Sequence, residues 1–85
     1  MSEDSVEREL ALIKILVTPD KRSEILQVVE HFKASTIDLT NKSIVIQVTG
    51  NSKKIDTVVA MLSKYKVSEL IRSGKMVMAR GQEET

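Results

Sequence analysis

The feature that most constrains this chain is a repeated apolar spacing. Ile25, Val28, Val29 and Phe32 recur at i, i+3, i+4 and i+7, and Ile55, Val58, Val59 and Leu62 repeat that spacing residue for residue. Each set makes one buried stripe on a helix. Each also follows a similar breaker, Thr18-Pro19-Asp20 before the first helix and Thr49-Gly50-Asn51 before the second. Asp20 is placed to cap the first helix by accepting from the amide of Ser23, and that helix should end near Lys33. Gly50-Asn51-Ser52 punctuates and caps the second.

The segments around these helices have the other period. Leu10 to Val17 is too short and too β-branched for a helix, and as a strand it sets Ile13, Ile15 and Val17 on one face. The opposite face carries Leu10, Leu12 and Leu16, with only Lys14 polar. Ser35 to Leu39 and Ser43 to Thr49 flank the polar turn Thr40-Asn41-Lys42 and read as a hairpin, with Ile44, Ile46 and Val48 alternating against Val45, Gln47 and Thr49. A further strand runs from Lys66 to Arg72, and Ser73-Gly74 turns into a last apolar run, Met76-Val77-Met78-Ala79. Two βαβ halves joined by a hairpin predict an α+β, ferredoxin-like βαββαβ fold, a two-layer sandwich with both helices on one face of an antiparallel sheet. Residues 9–80 form that domain. Residues 1–8 read as an acidic flexible lead or the remnant of an interdomain linker, and 81–85 as a polar tail.

Composition excludes several functions. With 2% aromatic residues, Phe32 and Tyr65 alone, the chain cannot work by stacking bases on rings. A formal net charge of +1 gives no field to gather nucleic acid or anionic lipid, so neither is an expected partner. The absence of Cys removes disulfides and thiolate chemistry. The polar, acidic start is unlike a signal peptide, and no apolar run reaches the ~20 residues of a membrane span, which makes the cytoplasm the expected location.

No catalytic constellation is legible. His31 is the only histidine and lies on the helical wheel with Glu24 and Gln27, away from the apolar stripe, as a solvated side chain would. One His without Cys is a poor supply of metal ligands. Glu7 and Glu9 sit at the edge of the domain, Glu24 and Glu30 on the polar side of a helix. Thr49-Gly50-Asn51-Ser52-Lys53-Lys54 has too little glycine for a phosphate loop. The expectation is therefore no catalytic residue, no metal and no cofactor in this chain. The apolar second sheet face of Leu10, Leu12, Leu16 and Val45 cannot be covered by the same two helices, and such a patch points to homodimerisation or docking.

Three segments carry a family likeness: Val6-Glu7-Arg8-Glu9-Leu10-Ala11-Leu12-Ile13-Lys14, Val48-Thr49-Gly50-Asn51 with Lys54-Ile55-Asp56, and Arg72-Ser73-Gly74-Lys75-Met76-Val77-Met78-Ala79-Arg80-Gly81. In this order and spacing they resemble the C-terminal domain of the small, regulatory subunit of acetolactate synthase (acetohydroxyacid synthase). The resemblance implies an ACT-like fold and a non-catalytic partner of a large catalytic subunit in branched-chain amino-acid biosynthesis. That subunit would carry thiamine diphosphate, Mg and FAD. The family's usual small subunit begins with an ACT domain that holds valine at a dimer interface. No segment here corresponds to it, and Val6-Glu7-Arg8-Glu9-Leu10 resembles the interdomain junction of a longer subunit. Arg72, Lys75 and Arg80, around the Gly74 turn, are the candidate contacts to the large subunit. The alternative is a stand-alone ACT-like amino-acid sensor acting as a homodimer.

Overall fold

Alternation of apolar residues builds the centre of the sheet. In a computed structural model that describes residues 5–81, β1 (Ser5–Leu16) sends Ala11, Ile13 and Ile15 into the core, and Val17 just beyond it is also buried. Next to it β3 (Ser43–Gly50) buries Ile44, Ile46 and Val48. The two strands pair antiparallel with Ile13 opposite Ile46 and Ile15 opposite Ile44, so β-branched side chains face each other across the centre. β2 (Ser35–Leu39) pairs with β3, and β4 (Lys66–Arg72) with the free side of β1, giving the order β2-β3-β1-β4. That order, with α1 (Pro19–His31) after β1 and α2 (Ser52–Leu62) after β3, is the expected ferredoxin-like fold.

The two helical stripes land where their spacing placed them. Ile25 and Val29 of α1 and Ile55, Val58 and Leu62 of α2 close the core, while Val28, Phe32 and Val59 are half-buried at its margin. At the head of α2 the Asn51 side chain accepts from the Lys54 amide at 2.8 Å, as its position predicts. The head of α1 differs from expectation. Thr18 is the N-cap, Pro19 opens the first turn, and no side chain caps it; the bond from Ser23 to Asp20 is not made. Proline at the first helical position fixes φ for the helix, so Asp20 is drawn into the first turn, where its charge still favours the dipole. The Thr18 hydroxyl instead donates to the Asp20 carboxylate.

α1 ends in a double reversal bond: Ala34 N donates to Val29 O at 2.9 Å and Lys33 N to Glu30 O at 3.1 Å. This closure puts Lys33 in the left-handed region, at φ 56°.

The larger departure is at the N-terminal end. β1 starts at Ser5, so Ser5 to Arg8, expected in a flexible lead, are strand; residues 1–4 and 82–85 of the expected lead and tail lie outside the described residues. These four residues pair antiparallel with a fifth strand, β5 (Met76–Ala79), from Ser5 opposite Ala79 to Arg8 opposite Met76. The run expected after the Gly74 turn thus continues along the same side of β1 as β4, after an interruption at Ser73–Lys75, and forms a two-stranded ribbon.

Two stability measurements test these local readings. Asn51→Ala should lower the unfolding free energy by about 1 kcal/mol, with Asn51→Asp close to neutral. Lys33→Gly should raise it by somewhat less than about 1 kcal/mol, because glycine removes the left-handed strain but adds freedom to the unfolded chain. Urea titrations followed by circular dichroism read both, and a stabilising Asn51→Ala or a destabilising Lys33→Gly would contradict them.

Candidate interaction surface

Residues opposite one another in a sheet share a face, so the register lays out the side the helices leave open. Leu12 faces Gln47 on one side and Ile71 on the other; Lys14 faces Val45 and Glu69. On the ribbon, Val6 faces Met78 and Arg8 faces Met76. Because side chains alternate with period two, the even-numbered residues of β1 form one stripe from Val6 to Leu16, shared by body and ribbon. Leu10, Leu12 and Leu16, singled out from sequence, lie on it, and Val45 lies on the same face opposite Lys14. Leu16 is 39% exposed, and Ile71, opposite Leu12, and Met78, opposite Val6, are 62% and 71% exposed.

The neck between body and ribbon is held by charge. Glu9 points to the helix side of β1, where its residue is only 3% exposed. Arg72 grips its carboxylate with two bonds, Nε to Oε2 at 2.6 Å and Nη2 to Oε1 at 3.0 Å, and reaches Asp56 of α2 with Nη1 at 2.8 Å. Glu7 accepts from the Ser52 amide at the start of α2, at 3.2 Å. The bond from Arg72 is the main reason the Glu9 pKa is lowered, and the bonds from Ser52 lower that of Glu7. The same contacts, that to Glu9 first, hold the Arg72 guanidinium protonated beyond its ordinary range. Ser73 completes the neck by donating its amide to Leu10 O at 2.8 Å and accepting from Leu10 N through Oγ at 2.9 Å.

The three basic residues singled out from sequence are thus placed differently. Arg72 is committed to Glu9 and Asp56 within the chain. Lys75 lies in the neck, near enough for its charge to favour ionised Glu7. Arg80 follows β5 and donates from Nε to Ser5 O at 3.2 Å. His31 is exposed and meets Phe32 edge to face, with ring centroids 4.8 Å apart. It borders a shallow hollow between the helices, where Tyr65 donates to Glu24 at 2.9 Å. No cluster of three or more His, Cys, Asp or Glu side chains suited to a metal ion occurs among the described residues. No helix among them is long and apolar enough to cross a membrane.

Sequence reasoning missed Val6, Ile71, Met76 and Met78 on the open face. The alternation of β1 carried on to Val6 held the signal for the first. It also missed the burial of Glu9, which depends on an arginine far along the chain.

Comparison with known proteins decides the family. A family model described as the small subunit of acetolactate synthase matches residues 8–81. The chain belongs to that family. It is 42% identical over 83 residues to the acetolactate synthase small subunit of Bacillus subtilis, covering 98% of this chain and 48% of the relative. It is 40% identical to the probable acetolactate synthase small subunit of Archaeoglobus fulgidus, covering 95% of this chain and 51% of the relative. The crystal structure of the Thermotoga maritima small subunit superimposes with a TM-score of 0.86 at 36% identity, covering 98% of this chain and 51% of that one. The chain therefore spans about half the length of these relatives, and the matched region is the C-terminal type of domain in the acetolactate synthase small subunit.

In this small-subunit domain the neck carboxylates set the response to acid. Their pKa values are lowered from 4.5, so the stabilisation they bring is complete above that value and is lost as pH falls through the folded-state values. Stability should drop on acidification below about pH 4.5, and Glu9→Gln should flatten that limb while lowering stability at neutral pH. Urea midpoints across the range from about pH 7 to about pH 3 measure it; an acid limb unchanged by Glu9→Gln would refute the assignment.

Proposed function

We propose that this chain is a non-catalytic, regulatory domain that associates with the large, catalytic subunit of acetolactate synthase in the cytoplasm, on the route to the branched-chain amino acids. Thiamine diphosphate, Mg and FAD belong, in this reading, to the large subunit. One observation carries it: exposed apolar residues gather on β4 and β5, while the described residues hold no cluster of three or more His, Cys, Asp or Glu suited to a metal ion. All seven residues of β4 are exposed, and its outer edge pairs with no described strand. We assign docking to this edge, with Lys75 and Arg80 at the ends of β5 as the charged contacts. Arg72 acts indirectly, through the neck.

Mixing the purified chain with the large subunit should give co-elution and a changed rate of acetolactate formation, with no activity from the chain alone. Lys75→Glu with Arg80→Glu should weaken the association by on the order of tenfold, mostly through slower encounter and greater salt sensitivity. No co-elution and no change in rate would end the reading. Saturable heat on titrating the chain alone with valine would favour an amino-acid sensor instead.

A further inference from the structure

The ladder between β1 and β4 fixes which backbone groups of β4 are left over. Ser73 donates its amide to Leu10 O, which makes that a hydrogen-bonded pair, and such pairs recur at every second residue of an antiparallel ladder. Ile71 and Glu69, opposite Leu12 and Lys14, therefore turn their amides and carbonyls toward β1. Leu70 and Arg72 turn theirs outward, where no described strand meets them. The Arg72 side chain is tied to Glu9 and Asp56, so this stretch of edge is held in place. The bulge opposite Lys14 and Ile15 confines the regular edge to the residues after it.

A hollow lies above the same residues. On the other side of the sheet α1 packs against β2, but α2 packs mainly on β1 and β3 and leaves β4 uncovered. The gap is about 280 Å³, with Ile13 as its floor, Val59 and Leu62 on one wall, Val67 and Leu70 on the other and Tyr65 at its end. Its polar groups are already engaged. The Ser63 hydroxyl donates to Ala60 O at 2.7 Å and the Tyr65 hydroxyl to Glu24 at 2.9 Å. Sites for free small molecules are larger, about 300–1,000 Å³, and keep a few polar groups to orient the ligand. This hollow suits one or two aliphatic side chains delivered on a backbone.

We propose that the partner is held by strand addition: a short extended segment of the large subunit pairs with the outward amides and carbonyls of Leu70 and Arg72 and drops an aliphatic side chain into the hollow between α2 and β4. The inference rests on the docking reading and adds how the partner is gripped. Register joins the two features. Leu70 lies opposite the buried Ile13 and so faces the helices, and a guest residue paired with Leu70 sends its side chain to that same side, over the hollow. Main-chain bonds then give affinity, while the hollow selects the side chain. Charge defines the end of the segment. Lys66, at the start of β4, is exposed and pairs with no carboxylate among the described residues. The matching segment has aliphatic residues at alternate positions and an Asp or Glu where it passes Lys66.

Amide hydrogen exchange of the full chain, alone and with the large subunit, tests this residue by residue. The Leu70 and Arg72 amides should exchange fast in the free chain and slow by on the order of tenfold or more in the complex, whereas the Ile71 amide, bonded to β1, is slow in both. Leu70→Pro removes one outward donor. Because that amide takes no part in the ladder, proline is tolerated there; the circular dichroism spectrum should be unchanged and the association weaker by on the order of tenfold or more. Leu70→Val keeps the amide and should weaken it by only about threefold. A complex in which the Leu70 and Arg72 amides still exchange freely, or one indifferent to Leu70→Pro, overturns strand addition and leaves association with the large subunit standing. The absence of any complex overturns both. Should Leu70→Pro fail to fold, exchange at Arg72 in the unsubstituted chain decides the question.

Discussion

The register of β1 governs the rest of the fold. This one strand pairs with β3, β4 and β5, and a slip of one residue would send Ala11, Ile13 and Ile15 to the open face and Lys14 into the core. Apolar alternation alone resists such a slip only partly, because Leu10, Leu12 and Leu16 would fill the core almost as well. Glu9 and Lys14 remove the ambiguity. Glu9 lies on the helix side, and its carboxylate is satisfied only where Arg72 and α2 meet it. In the slipped register that partner is lost and a charge is left on the wrong face. A buried ion pair contributes little net stability, but it separates two pairings that the apolar residues do not distinguish.

A sheet four strands wide under two short helices is not fully covered. The buried residues of both stripes join one cluster with those of β1 and β3, where the β-branched core lies, and the aromatic-poor composition leaves few large side chains to extend cover outward. β4 is therefore exposed on both faces, with Leu70 at 43% and Val67 at 36% exposure on the helix side. The bulge opposite the step from Lys14 to Ile15 adds local twist, which keeps this edge from presenting a long flat template.

Most of the fold was legible because its signals are periodic and local. Helical spacing at Ile25 and Ile55, alternation at Ile13 and Ile44, and the Asn51 cap each depend on neighbours within a few residues. What escaped depends on distant partners. Ser5 to Arg8 look mostly polar in isolation, and they are strand only because β5 returns beside them from the other end of the chain. Arg72 looked like a surface charge for the same reason: nothing near it in sequence reveals Glu9 and Asp56. The head of α1 was misjudged by two competing local rules, since Pro19 claimed the first turn before Asp20 could cap it. The four apolar residues of the open face named from sequence were found by alternation alone, and the ribbon extends that stripe instead of redirecting it.

In the proposed reading, a regulatory domain influences an enzyme by binding one of its states better than another. That requirement favours a rigid body with separate surfaces, because a surface that deforms on contact loses discrimination between states. Here the face, the outer edge and the ribbon all hang on β1, and the neck ties the base of the ribbon to the start of α2 through Glu7, Glu9 and Arg72. Displacing the ribbon would break charge-assisted bonds around a carboxylate that has little access to water, so ribbon and body move together. A partner held on the edge of β4 would then meet a surface whose geometry the same strand has already fixed.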